Sequence, residues 1–83
     1  MKKKKLLQKL SDYFDMGKRK QCEQKSCLKK IIRELREKEH KLSTKLQNEE
    51  SEIKRKRLKK ESQIIHAQRL KGLKRLKALR CDE

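Results

Sequence analysis

The chain contains no proline, no tryptophan and only two glycines in 83 residues. Disordered chains of high charge are usually rich in such breakers, whereas helices exclude them, so their scarcity favours long helices over disorder. With one Tyr and one Phe, aromatic side chains neither build the interior nor offer a stacking platform for nucleic-acid bases. Apolar residues make up 31% of the chain against 48% charged, too few to enclose a thick core. Helices that meet along narrow apolar seams need few apolar residues per turn and suit this composition.

Long hydrophobic runs are missing too. Gln8 and Lys9 interrupt Leu6, Leu7 and Leu10, so Lys2 to Lys5 do not introduce the hydrophobic segment of a signal peptide. No stretch approaches the roughly 18 apolar residues of a membrane span. The expected location is cytoplasmic, with the nucleus as a further compartment if the host is eukaryotic. No glycine-rich phosphate loop, nucleophile elbow or paired carboxylates in an apolar setting occur, so the chain reads as a binding protein, not an enzyme, and as needing no cofactor.

Cys22, Cys27 and Cys81 are the three cysteines, an odd number that a reducing cytosol keeps as thiols. On a helix Cys22 and Cys27 point about 140° apart. Zinc motifs use tighter, loop-borne pairs, and His40 and His66 complete none, so no metal site is expected. The cysteines read as small hydrophobes on or near a seam.

Acidic residues are scarce. Twelve Asp and Glu face 28 Lys and Arg, a net charge of +16. Residues 1–30 carry 11 basic and 3 acidic residues, net +8; residues 31–52 carry 5 and 6, net −1; residues 53–83 carry 12 and 3, net +9. Two polycationic flanks thus bracket a near-neutral middle. Self-repulsion of this size calls for an anionic partner: nucleic acid, anionic lipid or an acidic protein surface.

The apolar residues fall into three periodic stretches. Leu6, Leu7, Leu10, Tyr13 and Phe14 line one face of a basic amphipathic helix within residues 1–17, and Gly17 suggests its stop. In residues 18–47, Leu28, Leu35 and Leu42 recur every seven residues, flanked by Ile31, Ile32 and Leu46. Glu34 with Lys38 and Glu37 with Lys41 are favourable i,i+4 pairs. In residues 52–80, Leu58, Ile65, Gly72 and Leu79 repeat the sevenfold spacing, with Leu73 and Leu76 beside them. Residues 81–83 form a tail.

The two seams face nearly opposite sides of an unbroken helix but match as an antiparallel hairpin. Leu28 then opposes Gly72, Leu35 opposes Ile65 and Leu42 opposes Leu58, all in one register centred on residue 50. The polar segment 48–51 becomes the turn, with Ser51 or Asn48 as the cap of the following helix. The same register brings Cys22 and Cys81 to one end. Against the hairpin, no Gly or Pro marks the turn, Glu50–Lys54 and Glu52–Lys56 favour a continuous helix, and Ile31, Leu42, Ile53 and Ile64 are each 11 apart, a nearly straight stripe. The expected fold is therefore all-α, a short N-terminal amphipathic helix followed by a long antiparallel coiled-coil hairpin; the alternative is one continuous helix in a coiled-coil dimer.

The sharpest functional feature is Lys54, Arg55, Lys56, Arg57, Lys59 and Lys60, six cations in seven residues around Leu58. Lys71, Lys74, Arg75 and Lys77 extend the charge downstream, as do Arg69 and Arg80. Phosphates reward such a surface, because each one neutralised releases condensed counterions. A face that only keeps a coiled coil soluble usually mixes charge signs, and this one does not. With no reading head for bases, contact is expected to the phosphate backbone and shape. The leading expectation is a small helical accessory protein that binds nucleic acid non-specifically or belongs to a nucleic-acid-containing assembly. A second is a coiled-coil adaptor for an acidic protein, homo-oligomers included. A third lays residues 2–14 on an anionic membrane.

Overall fold

The computed structural model describes residues 2–79, with side chains from residue 5 onward. Four helices occur among them and no strand: α1 (Lys2–Asp15), α2 (Lys18–Glu23), α3 (Lys25–Asn48) and α4 (Glu52–Ala78). α3 and α4 are joined by residues 49–51 and pack against each other as the predicted antiparallel hairpin, with α1 laid across both. The molecule measures 52 × 19 × 14 Å. Its radius of gyration is 14.7 Å. A compact chain of this length would have one of about 12 Å. The slender shape follows from the composition: two helices can share one seam with few apolar residues, while a globule needs more.

The seam runs along both arms. Leu28, Leu35, Leu42 and Ile65 are buried together with Leu79, and Leu58 is half-buried against them. Each Leu or Ile fully withdrawn from water contributes about 1.5–3 kcal/mol. Ile31 adds to this core from α3, and α1 supplies Leu6, Leu10 and Tyr13. The amphipathic face of the N-terminal helix is thus spent inside the fold, on the open end of the hairpin.

Gly72 is buried where three helices converge. A Cβ there would stand 3.3 Å from Ile32 Cγ1 and 3.4 Å from Leu10 Cδ1. The register of the seams puts Leu28 opposite this glycine; the atoms nearest the missing side chain belong instead to Ile32 of α3 and Leu10 of α1. Glycine's role here is to admit those side chains, since its backbone is ordinary helix.

Three local features differ from the expectations drawn from sequence. Gly17 does not end α1 in a left-handed conformation; it is extended (φ −67°, ψ 160°) and precedes α2. The corner is held by Tyr13 and Gln21 instead. The Tyr13 hydroxyl donates to the Gln21 carbonyl at 2.5 Å, and Gln21 Nε2 donates to the carbonyls of Tyr13 and Met16 at 3.1 Å each. The Gln21 amide thus gives the Met16 carbonyl a donor and adds a second one to the Tyr13 carbonyl, which also accepts from the Met16 N–H. Burial raises the Tyr13 pKa above its ordinary 10.0, with Arg75 lowering it and Cys27 adding to the rise.

Second, the first arm is broken at Gln24 (φ −109°, ψ 30°), which separates α2 from α3. Third, Ser51 occupies the position before α4, but its side chain makes no capping bond. Its backbone N–H donates to Glu49 Oε1 at 3.1 Å. Arg55 Nη1 reaches back to the carbonyls of Leu46 and Glu49, 3.3 Å each, and so closes the end of α3. This side-chain closure lets the chain reverse without Gly or Pro.

Cys27 is a free, exposed thiol, whereas Cys22, half-buried against the core, is disulfide-bonded, so the expectation of a thiol fails there. Cys81 lies outside the described residues.

Two outcomes check this architecture. Gly72→Leu should lower stability by about 1–3 kcal/mol in urea unfolding followed by circular dichroism, because the added atoms meet Leu10 and Ile32. An unchanged midpoint would mean that α1 does not pack over Gly72. Oxidised Cys27→Ser protein should carry an intramolecular bridge between Cys22 and Cys81, visible by non-reducing electrophoresis and peptide mass mapping. Crosslinks solely between chains would favour the continuous helical dimer.

Candidate functional site

All ten cations singled out in the sequence are exposed on α4: Lys54, Arg55, Lys56, Arg57, Lys59, Lys60, Lys71, Lys74, Arg75 and Lys77. The helix sorts them by direction. It turns about 100° per residue, so its seam residues Leu58, Ile65, Gly72 and Leu79 point one way. Lys56, Lys59, Lys74 and Lys77 lie within about 60° of each other on a flank well away from that seam. Gln63, His66 and Leu70 complete this flank, and no acid of α4 stands on it between Lys56 and Lys77; Glu52 lies on the same side one turn before Lys56.

A second flank, rotated by about 100° from the first, carries Arg57, Lys60, Lys71 and Arg75 in line with Ile53 and Ile64. Along the sequence these cations form one set. In the fold eight of them form two sets, one of lysines and one mixed with isoleucine, while Lys54 and Arg55 lie outside both.

Arg55 and Lys71 have partners inside the fold. Arg55 holds the α3 carbonyls described above. Lys71 Nζ sits 4.9 Å from the centroid of the Phe14 ring. That contact is a cation–π interaction tying α4 to α1. Arg69 is drawn further in: its Nε donates to Glu39 Oε2, and its side chain is only 19% exposed. Glu39 Oε1 also lies 2.5 Å from His66 Nδ1. One carboxylate on α3 therefore gathers two α4 side chains across the hairpin. Sequence reasoning misses these pairings, because they depend on the spatial register of two helices and no local motif marks them.

Beside this cluster an open groove between α3 and α4 is lined by Arg33, Arg36, Lys41, Ser62, His66 and Arg69, with Glu37 and Glu39 among them. His40 is exposed and its carbonyl accepts from Thr44 Oγ1. No group of His, Cys, Asp and Glu able to hold a metal ion forms among the described residues. No described helix is long and apolar enough to cross a membrane.

Tyr13 is buried, and Phe14 is half-buried with Lys71 over its ring, so the described surface offers no open aromatic platform. What the arrangement can do chemically is present a rigid row of ammonium and guanidinium groups to a surface of opposite sign. Comparison with protein-family models, curated proteins and solved structures finds no match for this chain.

The cross-arm cluster is testable. Glu39→Ala should cost about 1–3 kcal/mol of stability, the usual worth of hydrogen bonds to charged groups with limited water access. Glu37→Ala, at an exposed position on the same helix, should change the urea midpoint little.

Proposed function

We propose that this protein is a non-enzymatic accessory factor that binds double-stranded nucleic acid non-specifically, through the phosphate backbone. The observation that carries this reading is the flank of Lys56, Lys59, Lys74 and Lys77, all exposed on one continuous helix that places no acid among them on that side. From Lys56 to Lys77 the helix rises about 32 Å. One turn of duplex spans about 34 Å, so the cations meet phosphates along a comparable length.

Three further features support it. The net charge of +16 draws a polyanion over a distance set by ionic strength. The absence of an open aromatic among described residues disfavours single strands, whose bases would have to stack. The flank carries no Arg or Asn to read base edges in a groove, and its Gln63 is isolated.

The membrane reading for residues 2–14 has less support, because Leu6, Leu10 and Tyr13 are already buried against the hairpin. The adaptor reading draws on a different flank of α4, taken up below.

Engagement of about six phosphates predicts a slope near −5 for the logarithm of duplex affinity against the logarithm of salt concentration. Sequence should matter little. Replacing Lys56, Lys59, Lys74 and Lys77 with Gln should weaken every duplex alike and shrink the slope by about 0.9 for each phosphate no longer neutralised. This set spares Arg55 and Lys71, which hold the fold, so circular dichroism should be unchanged. A slope near zero, or a strong preference for one sequence, would rule the mechanism out.

A further inference from the structure

We infer that the second flank of α4 is a docking surface for an acidic amphipathic helix of another protein. The chain exposes Ile53 by 70% and Ile64 by 45%. The two are 11 residues apart and so share one direction on the helix. Ile53, Arg57, Lys60, Ile64, Ala67 and Lys71 alternate spacings of four and three, the pattern along which one helix seats another. α4 therefore carries two helix-packing stripes. α3 occupies one, and no described element covers Ile53 or Ile64 on the other.

Next to this stripe the hairpin opens a groove of about 760 Å³ at its closed end, between α3 and α4. Leu58 and Ile64 supply its apolar wall, and Lys45, Lys54, Arg57 and Lys60 surround them. Glu49 and Glu61 also line the groove, and both are engaged, Glu49 by the Ser51 N–H. Leucines of an incoming helix would fill the space beside Ile64. Its carboxylates would meet the cationic heads, while the aliphatic stems of Arg57 and Lys60 cover its apolar edge.

Charge selects this occupant over two others. A second copy of the chain would bring Arg57, Lys60 and Lys71 towards an identical cationic row, with +16 on each partner. A nucleic-acid duplex would satisfy the cations but bury neither isoleucine well, since phosphates are polar. An acidic amphipathic helix answers both parts of the surface.

The test uses a synthetic helix of about three heptads, with Leu at the a and d positions and Glu at e and g, whose self-association its own charge suppresses. Labelled peptide and labelled duplex DNA are titrated separately by anisotropy. The whole protein should bind the peptide one to one. Ile53→Gln with Ile64→Gln should weaken the peptide by about tenfold or more, and duplex affinity should change by less than about twofold. The Gln substitutions at Lys56, Lys59, Lys74 and Lys77 should do the reverse. An Ile53→Ala, Ile64→Ala pair, which keeps helix propensity high, should follow the Gln pair.

Failure of the peptide to bind at up to ~100 μM, beyond which any affinity is too weak to be specific, would overturn the inference. So would equal binding of the isoleucine variants. Sedimentation of the protein alone as a dimer that the isoleucine variants disperse would replace the acidic helix by a second copy, and would also overturn it. Peptide binding with no duplex binding would sink the nucleic-acid reading and sustain this one.

Discussion

Leu10, Ile32 and Gly72 bring α1, α3 and α4 to one point, and the rest of the molecule is arranged around that convergence. A two-helix hairpin by itself buries only one face of each arm. With 31% apolar residues, that single seam leaves little surplus over the entropy of ordering long, charged side chains. Laying α1 across the open end adds Leu6, Leu10 and Tyr13 to the core without lengthening the seam. The addition requires the third helix to come close, and a side chain at residue 72 would stand in the way. Tyr13 and Gln21 then close the corner behind α1, so the chain can change direction without exposing unpaired carbonyls in a buried place.

Much of this is legible in the sequence because it rests on periodicity. Leu28, Leu35 and Leu42 against Ile65, and the leucines of α1, each repeat at helical spacing, and burial follows from that spacing alone. The features that escape share a different cause. Gln21 is polar and reads as surface, yet it is buried because its amide matches the carbonyls of Tyr13 in α1 and of Met16 just beyond it. Glu39, His66 and Arg69 are up to 30 residues apart, and their meeting depends on the register of the hairpin to within one turn. In the sequence Arg55 is one more cation of a basic run, and its bonds to α3 exist only once the chain has reversed. Ile53 and Ile64 are legible as a stripe, but of a continuous helix. In the hairpin the same stripe is left outward-facing.

The candidate interface shows the same division. That the cations of α4 would be exposed follows from where the leucines are. Which cations are free for a partner does not. Lys71 lies over Phe14 and Arg69 is held by Glu39, so bonds within the fold remove them from an undivided basic face. A surface of like charges is costly to assemble, and the fold lowers that cost locally. Arg55 faces carbonyl oxygens, Arg69 a carboxylate, and Lys71 a ring. Lys56, Lys59, Lys74 and Lys77 are exposed on a flank whose acid, Glu52, stands at its end. Their mutual repulsion is relieved most by a polyanion, and this is why the proposed nucleic-acid contact is assigned to them.

The thin seam also explains how one helix has room for two proposed partners. A helix in the centre of a globule gives up most of its circumference to the core. α4 gives up the arc around Leu58, Ile65 and Gly72, and the flanks that bear Lys56 and Ile64 are open to solvent. On that surface the lysine flank and the isoleucine-bearing flank are about 100° apart, so a duplex on one need not displace a helix on the other. Their chemistry keeps them distinct as well. Phosphate contact rewards charge and is weakened by salt, whereas seating a helix on Ile53 and Ile64 rewards apolar burial, which salt does not screen. A sequence too polar to build a globule has, for the same reason, a helix with two faces left to recognise something else.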